Sequence, residues 1–316
     1  MSQIITLTVN PSVDKSIRIK GLQPDRKLRG SVPTEEPGGG GVNVSRAIYK
    51  LGGTSACVYL AGGHTGDTLK RLLDQEGIAQ HPLRSSAQTR ESFMVFDETT
   101  QQQYRFVPDG YPVAEADWKL TLRTVSSLLQ EGDYLVASGS LPPGVPTNYY
   151  AQVTRVAHER AAKVMVDTSG EALQQAVGGG VYLLKPNLGE LSTLTSQQAI
   201  TAPEQERLAQ QLVEQGRAEV VVVSLGAQGA MLVTKDEVTY IAAPTVPKKT
   251  TVGAGDSMVG GMVLRLSQGW ATSDAVRYGV ACGTAATMNH GTQLCRAEDV
   301  DRLYRWMQSQ ADEASC

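Results

Sequence analysis

The strongest constraint on this chain is a rhythm. Six short apolar runs rich in β-formers recur along it: IITLTV (4–9), SACVYLAG (55–62), YLVASGS (134–140), KVMVDTS (163–169), VYLLKPN (181–187) and EVVVVSLG (219–226). Between them lie helical stretches such as GVNVSRAIYKLG (41–52), TGDTLKRLLDQEG (65–77), NYYAQVTRVAHERAA (148–162) and PEQERLAQQLVEQGRA (203–218). Strands that apolar have no face to give to water, so the pattern predicts an α/β fold, a mostly parallel sheet with helices on both faces. Ligands of such sheets bind at the carboxyl ends of the strands. The segments there read NPSVD, AGGHTGD, SGSLPPG, DTSGEAL, KPNLGE and SLGAQGA, rich in Gly, Asn, Asp and Ser.

Two segments break the rhythm. Residues from about Ser16 to Glu35 are extended and polar, and SFMVFDETTQQQYRFV (92–107) alternates like a hairpin around a polar turn. Together they are expected as a small sheet, about 16–35 and 90–107, standing off the main body; a surface hairpin without a role fits the alternation equally. No internal repeat or linker divides the 316 residues, which are expected as a single domain, 1–316, with that appendage. The formal net charge is -3, with Lys and Arg scattered, which argues against nucleic acid or an anionic membrane as partner. No apolar run approaches a membrane span, and the start MSQIITLTVNPSVDKS lacks the pattern of a signal peptide. Cys57, Cys282, Cys295 and Cys316 form no CxxC pair, so a cytoplasmic protein with reduced thiols is expected, Cys282 and Cys295 serving as packing.

TTVGAGDSMVGGM (250–262) places a carboxylate after two glycines and before an apolar helical pattern expected to begin around Asp256. Free N–H groups and the helix dipole make an anion cradle there. Asp256 either caps the helix or acts as a general base beside a bound phosphate; the motif alone leaves both open. A second glycine cluster, PGGGGVNVSRAIYKLGG (37–53), permits close approach of a ligand to backbone amides, with Asn43 one turn into the helix and able to bond a polyol. A flexible loop before an ordinary helix is the plain alternative. No Gly-Lys-Ser/Thr follows, so this is not a phosphate loop of the Walker type, nor does it follow the first strand as a dinucleotide fingerprint would.

GGGGVNVSRAIYKLGG and TVGAGDSMVGGM resemble the two signatures of the ribokinase/PfkB carbohydrate kinases, and KPNLGE and VVVSLGAQGA resemble that family's nucleotide-side motifs in the same order. The resemblance runs over essentially the whole chain. It implies a ribokinase-like three-layer sandwich with a small β lid. Within the family, TLTVNPSVDKS, EPGGGGVNVSRA, YRFV, SGSLPPG and GTAATMNHGTQLC look closest to the members that phosphorylate fructose 6-phosphate at C1 with ATP. Members acting on tagatose 6-phosphate or fructose 1-phosphate come next.

By that resemblance Asp256 is the base and the amides of Gly253, Ala254 and Gly255 form the anion hole. Because the dipole stabilises charge there, a strongly raised pKa is not expected from it. Asp14, at the end of the first strand, with Gly39, Gly40, Asn43 and Ser140, is implied to hold the sugar; a turn-forming role is the alternative for Asp14. Lys27, Arg29 and Arg90 are implied to grip the substrate's phosphate, with solvated surface charge as the alternative. Arg105 is compatible with the same task but stands outside the set. On the nucleotide side, Lys185 meets phosphate, Asn187 and Glu190 keep Mg²⁺ and its waters, and Ser224, Gly226, Gly229 and Thr284 line the adenosine pocket. An exposed helix-start carboxylate is the alternative for Glu190. K⁺ is expected on oxygens of Thr250, Val252, Ala286, Asn289 and Gly291, mostly backbone carbonyls. The family signature has an acidic or small polar residue where this chain has Thr250, a change backbone ligation tolerates. An apolar lid face with Phe93, Val95 and Phe106 implies a homodimer through the lid. Two other classes fit less well: a catalytically dead sugar-phosphate sensor would be expected to have lost Asp256 or its glycines, and a dinucleotide oxidoreductase would carry an early GxGxxG.

Overall fold

The expected alternation is present almost element for element. The computed structural model describes residues 2–198, 201–289, 291 and 293–314. The chain runs β1 (Ile4–Thr8), β2 (Ser12–Ile19), β3 (Thr34–Gly38), α1 (Gly40–Lys50), β4 (Ala56–Ala61), α2 (Gly63–Glu76), β5 (Gln80–Arg84), β6 (Arg90–Asp97) and β7 (Gln102–Phe106). It continues through α3 (Glu115–Leu128), β8 (Tyr134–Ser138), α4 (Tyr149–Glu159), β9 (Lys163–Asp167), α5 (Gly170–Val177), β10 (Val181–Leu184), α6 (Leu188–Thr195) and α7 (Ala202–Glu214). The last part is β11 (Ala218–Ser224), β12 (Gly229–Val233), β13 (Val238–Ala242), α8 (Ala254–Ser267), α9 (Thr272–Thr287) and α10 (Ala297–Ala314).

Nine strands form the main sheet in the order β13-β12-β11-β10-β9-β8-β1-β4-β5. All six expected runs are strands in its parallel part. β5, β12 and β13 lie outside the sequence pattern: β5 is short and carries Pro82, and the TKDE turn between β12 and β13 has none of the glycine dipeptides that mark a hairpin. Neighbouring residues of one strand feed opposite layers. Ile5, Leu7, Leu135 and Val166 pack with α4 and α7 on one face, while Ile4, Val136, Met165 and Leu183 pack with α8 and α9 on the other. Both faces are therefore dry, as the apolar runs required. Two buried threonines of β1 are tied to α1 instead: Thr6 Oγ1 shares a hydrogen bond with Ser45 Oγ at 2.7 Å, and the Val42 N–H donates to Thr8 Oγ1 at 3.0 Å.

A second sheet, ordered β3-β2-β6-β7, is the small lid. Its hairpin β6–β7 was legible, but its limits differ from the expected ones. β2 starts at Ser12 rather than near 16, β3 runs on to Gly38, and residues 20–33 between them contain no strand. Asp14 accordingly lies within β2 and not at the end of the first strand. The register pairs Ser12 with Arg90 and Asp14 with Ser92, so the lid strands enter directly from the floor of the molecule. Of the cysteines, Cys57, Cys282 and Cys295 are free and buried; Cys316 lies outside the described residues. Among the described residues no helix is long and apolar enough to cross a membrane.

Candidate active site

β1 and β8 are adjacent in the main sheet, and the chain passes from them to opposite edges. This is the switch point at which open parallel sheets bind ligands. An open cleft of about 390 Å³ lies there, lined from the lid by Asp14, Arg90 and Arg105, from the strand ends by Ser138, Gly139, Ser140 and Asp167, and from the start of α8 by Gly253, Gly255 and Asp256.

Two helices begin at this cleft. α1 starts with Gly39 as its N-cap and Gly40 pressed on the end of β8: a Cβ at Gly40 would lie 2.1 Å from Ser138 Oγ. The glycine tract is thus a packed device and not a flexible loop. α8 starts at Ala254, with Gly253 at the N-cap in a left-handed conformation (φ 71°) and making no side-chain cap bond. The two helices touch because Gly260 lets them: a Cβ there would sit 3.0 Å from the Ala47 Cβ and 3.2 Å from the Val44 carbonyl. Their close packing sets Asn43 beside Asp256, and Asn43 Nδ2 donates to Asp256 Oδ2 at 2.9 Å.

This corrects two expectations. The helix begins two residues before Asp256, so Asp256 is the third helical residue and does not serve as its cap. Its pKa is pushed up to about 7. Burial is the main cause, reinforced by Asp167 and, less, by Asp14; the Asn43 hydrogen bond and Lys185 pull the other way. Loss of water around the carboxylate outweighs the dipole that was expected to hold it low. The first-turn amides of α8 have no partner within the helix by construction, and the Ala254 N–H leans on the Thr251 carbonyl at 3.4 Å. A carboxylate near neutrality, beside amides able to hold negative charge, suits proton removal coupled to transfer of an anionic group.

The remaining expected residues distribute as follows. Gly39, Gly40, Asn43, Val252 and Glu190 also line the cleft. Ser12 Oγ donates to Asp14 Oδ1 at 2.7 Å, and Asn10 Nδ2 donates to Ser140 Oγ at 3.0 Å. Arg90 is buried; Nη1 donates to the Pro108 carbonyl at 2.8 Å and Nη2 to the Asn10 carbonyl at 3.3 Å, while its buried Nε has no protein partner. Burial lowers its pKa, with Asp14 and Asp109 opposing. Lys27 and Arg29 do not join it: both sit exposed in the 20–33 segment and line no part of this cleft.

Lys185 follows β10 and lies 3.5 Å from Asp167 Oδ1. Burial opposes its charge, but Asp167, Glu190 and Asp256 around it hold the ammonium above its usual range. Asn187 caps α6, and it and Glu190 form a reciprocal capping box at 2.9 Å in each direction, so the helix-start role of Glu190 is real. Burial also raises the Glu190 pKa, against the bonds from Asn187. Ser224, Gly226, Gly229 and Thr284 stand outside the cleft: Ser224 pairs with Asn187, Gly226 and Gly229 flank the turn into β12, and Thr284 lies on α9. The Lys249 and Thr250 amides both donate to the Thr287 carbonyl, at 2.8 and 3.2 Å, drawing the 250–252 segment against the end of α9, which carries Ala286 and is followed by Asn289. Asn289 Nδ2 donates to the Leu294 carbonyl at 2.7 Å, and Gly291 lies between these two in sequence. Sequence reasoning left out Ser12, Asp167 and Ser138; a carboxylate ending a parallel strand was the available signal for Asp167.

With this geometry in hand, comparison with known proteins assigns a class. Residues 7–299 match the model of the pfkB family carbohydrate kinases. The chain belongs to that family, and its fold is ribokinase-like. It is 40% identical over 308 residues to the ATP-dependent 6-phosphofructokinase isozyme 2 of Escherichia coli K12, covering 97% of this chain and 99% of the relative. It is 33% identical over 302 residues to the 1-phosphofructokinase of Bacillus subtilis 168, covering 95% and 97%. The crystal structure of the Escherichia coli phosphofructokinase-2 in complex with fructose-6-phosphate superimposes with a TM-score of 0.93 at 38% identity, over 98% of this chain and 100% of the other. The structure of that enzyme in complex with potassium gives a TM-score of 0.94. A ribokinase from Thermotoga maritima, at 23% identity and TM-score 0.75, shares the fold.

Proposed function

We propose that this protein transfers the terminal phosphoryl group of ATP to the C1 hydroxyl of fructose 6-phosphate, giving fructose 1,6-bisphosphate. The observation that carries the chemistry is Asp256: a carboxylate titrating near neutrality at the floor of the cleft, on the first turn of a helix. In this reading the sugar lies between the two helix starts, held by Asp14, Gly39, Gly40, Asn43 and Ser140. Asp256 takes the hydroxyl proton as the hydroxyl attacks, and the amides of residues 253–255 hold the charge that develops on the transferred group. Arg90, whose buried Nε lacks a protein partner, takes the substrate's own phosphate. Lys185 meets the nucleotide phosphates, while Asn187, Ser224, Gly226, Gly229 and Thr284 form the nucleotide side.

The donor set fits Mg²⁺: Glu190 lines the cleft, its Oε1 takes no part in the capping box, and this ion uses few carboxylates and keeps waters. Bound with ATP, the ion supplies neutralisation of phosphate charge. The convergence of residues 250–252 with the end of α9 fits a K⁺ site built from the carbonyls of Thr250, Val252, Ala286, Asn289 and Gly291. Lys27 and Arg29 complete the phosphate grip only if a second copy brings its lid over the cleft, so we place the active form as a homodimer through the lid. Its relatives support the substrate choice: the 6-phosphofructokinase of Escherichia coli is more similar, at 40% identity, than the 1-phosphofructokinase of Bacillus subtilis, at 33%. Coupled ADP release with Mg-ATP, K⁺ and fructose 6-phosphate, tagatose 6-phosphate or fructose 1-phosphate tests it. Fructose 6-phosphate is expected to give the highest kcat/KM; a win for either other sugar would replace the substrate and keep the mechanism.

A further inference from the structure

Arg46 is a long, fully buried side chain of α1, 2% exposed. Its Nε and Nη2 donate to the two carboxylate oxygens of Glu76, at 2.8 and 2.7 Å, a bidentate fork to the last residue of α2. Nη1 donates to the Pro37 carbonyl at 2.8 Å, where the glycine tract begins, and to Asn43 Oδ1 at 3.2 Å. Asn43, one turn earlier on the same helix, faces Asp256 with its Nδ2.

The chemistry of the guanidinium makes this sequence of contacts directional. Arginine has donors only and stays charged at any working pH. An asparagine amide has an acceptor end and a donor end of nearly equal shape, so its pocket alone does not orient it. Against a donor-only neighbour it must present its oxygen, which leaves its NH₂ for Asp256. A donor is the partner that favours the ionised carboxylate. Turned the other way, the amide oxygen would favour the protonated acid, which cannot act as a base.

We propose that Glu76, Arg46 and Asn43 form a positioning chain for the base: Arg46, clamped by Glu76, fixes the Asn43 amide so that it donates to Asp256 and favours its ionised form. The proposal rests on the reading of Asp256 as the base. Arg46 touches no reacting atom and acts through Asn43. It also explains why α2, remote from the cleft, ends in a carboxylate turned inward against α1. The other charged groups facing Asp256 are Asp167 at the end of β9 and Asp14 on β2, which push its proton affinity up, and Lys185 after β10, which pulls it down. Around Arg46 lie Glu76 of α2 and, at 4.0 Å, Glu36 of β3.

The test uses the pair variant Arg46→Met/Glu76→Gln, which removes both charges together and so strands no buried ion. It is compared with Asn43→Ala and with the triple variant. Two quantities are read: the titration of Asp256 in the substrate-free protein, by NMR of ¹³C-labelled aspartate carboxyls with Asp256→Asn for assignment, and the pH dependence of kcat. The pair variant is expected to move both midpoints upward by about one pH unit, lowering kcat at pH 7 roughly five- to tenfold. In the Asn43→Ala background the same pair is expected to move neither any further. A folded pair variant with an unmoved Asp256 midpoint overturns the proposal, as does an equal displacement in the Asn43→Ala background, which would show the guanidinium acting by its field or through the fold. If the pair variant does not fold, Arg46→Lys carries the test: it keeps charge and a donor, loses the fork, and is expected to give a smaller displacement of the same sign, with none at all counting against. The carboxyl titration needs no substrate, so a protein that behaves as stated by NMR but phosphorylates no sugar phosphate would sink the functional reading and uphold the positioning chain.

Discussion

In the main sheet β1 and β12 bury all five of their residues, whereas β7 of the lid leaves Gln102, Arg105 and Phe106 exposed. Only part of the lid's apolar surface is covered: Val13 and Met94 are buried, but Phe93 and Phe106 lie directly opposite each other across β6–β7, 46% and 53% exposed, and Val32 before β3 is 86% exposed. The main sheet stabilises itself by sealing both faces with helices. The lid has no layer of its own on that side, so its geometry depends on what covers it, and the substrate cleft lies between the two. Stability is thus placed in the main sheet, while the lid adds cleft-lining groups such as Asp14, Arg90 and Arg105 with less core of its own, and each sheet should fail in its own way.

The largest effect is expected on the core side of the cleft. Asp256→Asn should lower kcat by about 10²–10⁴-fold with little change in fold, because the neutral amide cannot accept the hydroxyl proton. In the unsubstituted protein kcat should rise with pH through a midpoint near 7, since the base works deprotonated. A flat profile across pH 6–8 in steady-state assays would contradict that. Next, Leu135→Ala in β8 should cost about 2–5 kcal/mol in denaturant unfolding, as a cavity opens in a dry layer.

Asp256 also sets a cost within the core. Its folded pKa lies above the ordinary 3.8, so the native state holds an extra proton between about pH 4 and 7. The stability this gives is fully present below that window and is lost as pH rises through 7. Asp256→Asn escapes the loss and should be more stable than the original at pH 8, by about 1–4 kcal/mol, with the gain vanishing by pH 4. Thermal unfolding at the two pH values decides it.

On the lid side the effects on the single chain shrink. Phe93→Ser/Phe106→Ser should change unfolding free energy by only about 0.5 kcal/mol, as for other exposed positions. If the proposed lid-mediated dimer forms, the same variant should dissociate it in sedimentation and raise KM for the sugar phosphate; unchanged association would remove the lid from any dimer. The smallest effect on global stability is expected from Asp97→Asn. Asp97 ends β6 and accepts from the Gly21 and Leu22 amides at 2.9 and 3.0 Å and from Thr99 at 2.9 Å, bonds that hold its pKa down at about 2. Asparagine keeps one acceptor oxygen, enough for the Gly21 and Thr99 amides that share Oδ1, and loses the charge and the Leu22 bond; Tm should hardly move while limited proteolysis within residues 20–33, the segment carrying Lys27 and Arg29, speeds up.

The six parallel strands and the two glycine-led helices could be read from the chain, because apolar runs and N-terminal glycines are local signals. Asp256 and Asn43 could be singled out for the same reason, each sitting at a glycine motif whose backbone demands are written in its neighbours, whereas Glu190 entered through the family resemblance of KPNLGE. What the chain could not show was which groups stand close across the fold. That Asp256 is near neutral follows from its burial, with Asp167, 89 positions away in sequence (256 against 167), adding to it. That Arg46 and Glu76 reach the base through Asn43 follows from the packing of α1 on α2 and α8. That Lys27 and Arg29 miss their own cleft follows from where the lid strands enter. Sequence determined the elements and the kinds of group available, since propensity, periodicity and turn chemistry act within a few residues. Tertiary structure decided charge states and partners, since desolvation and Coulomb interaction depend on distance in space and not along the chain.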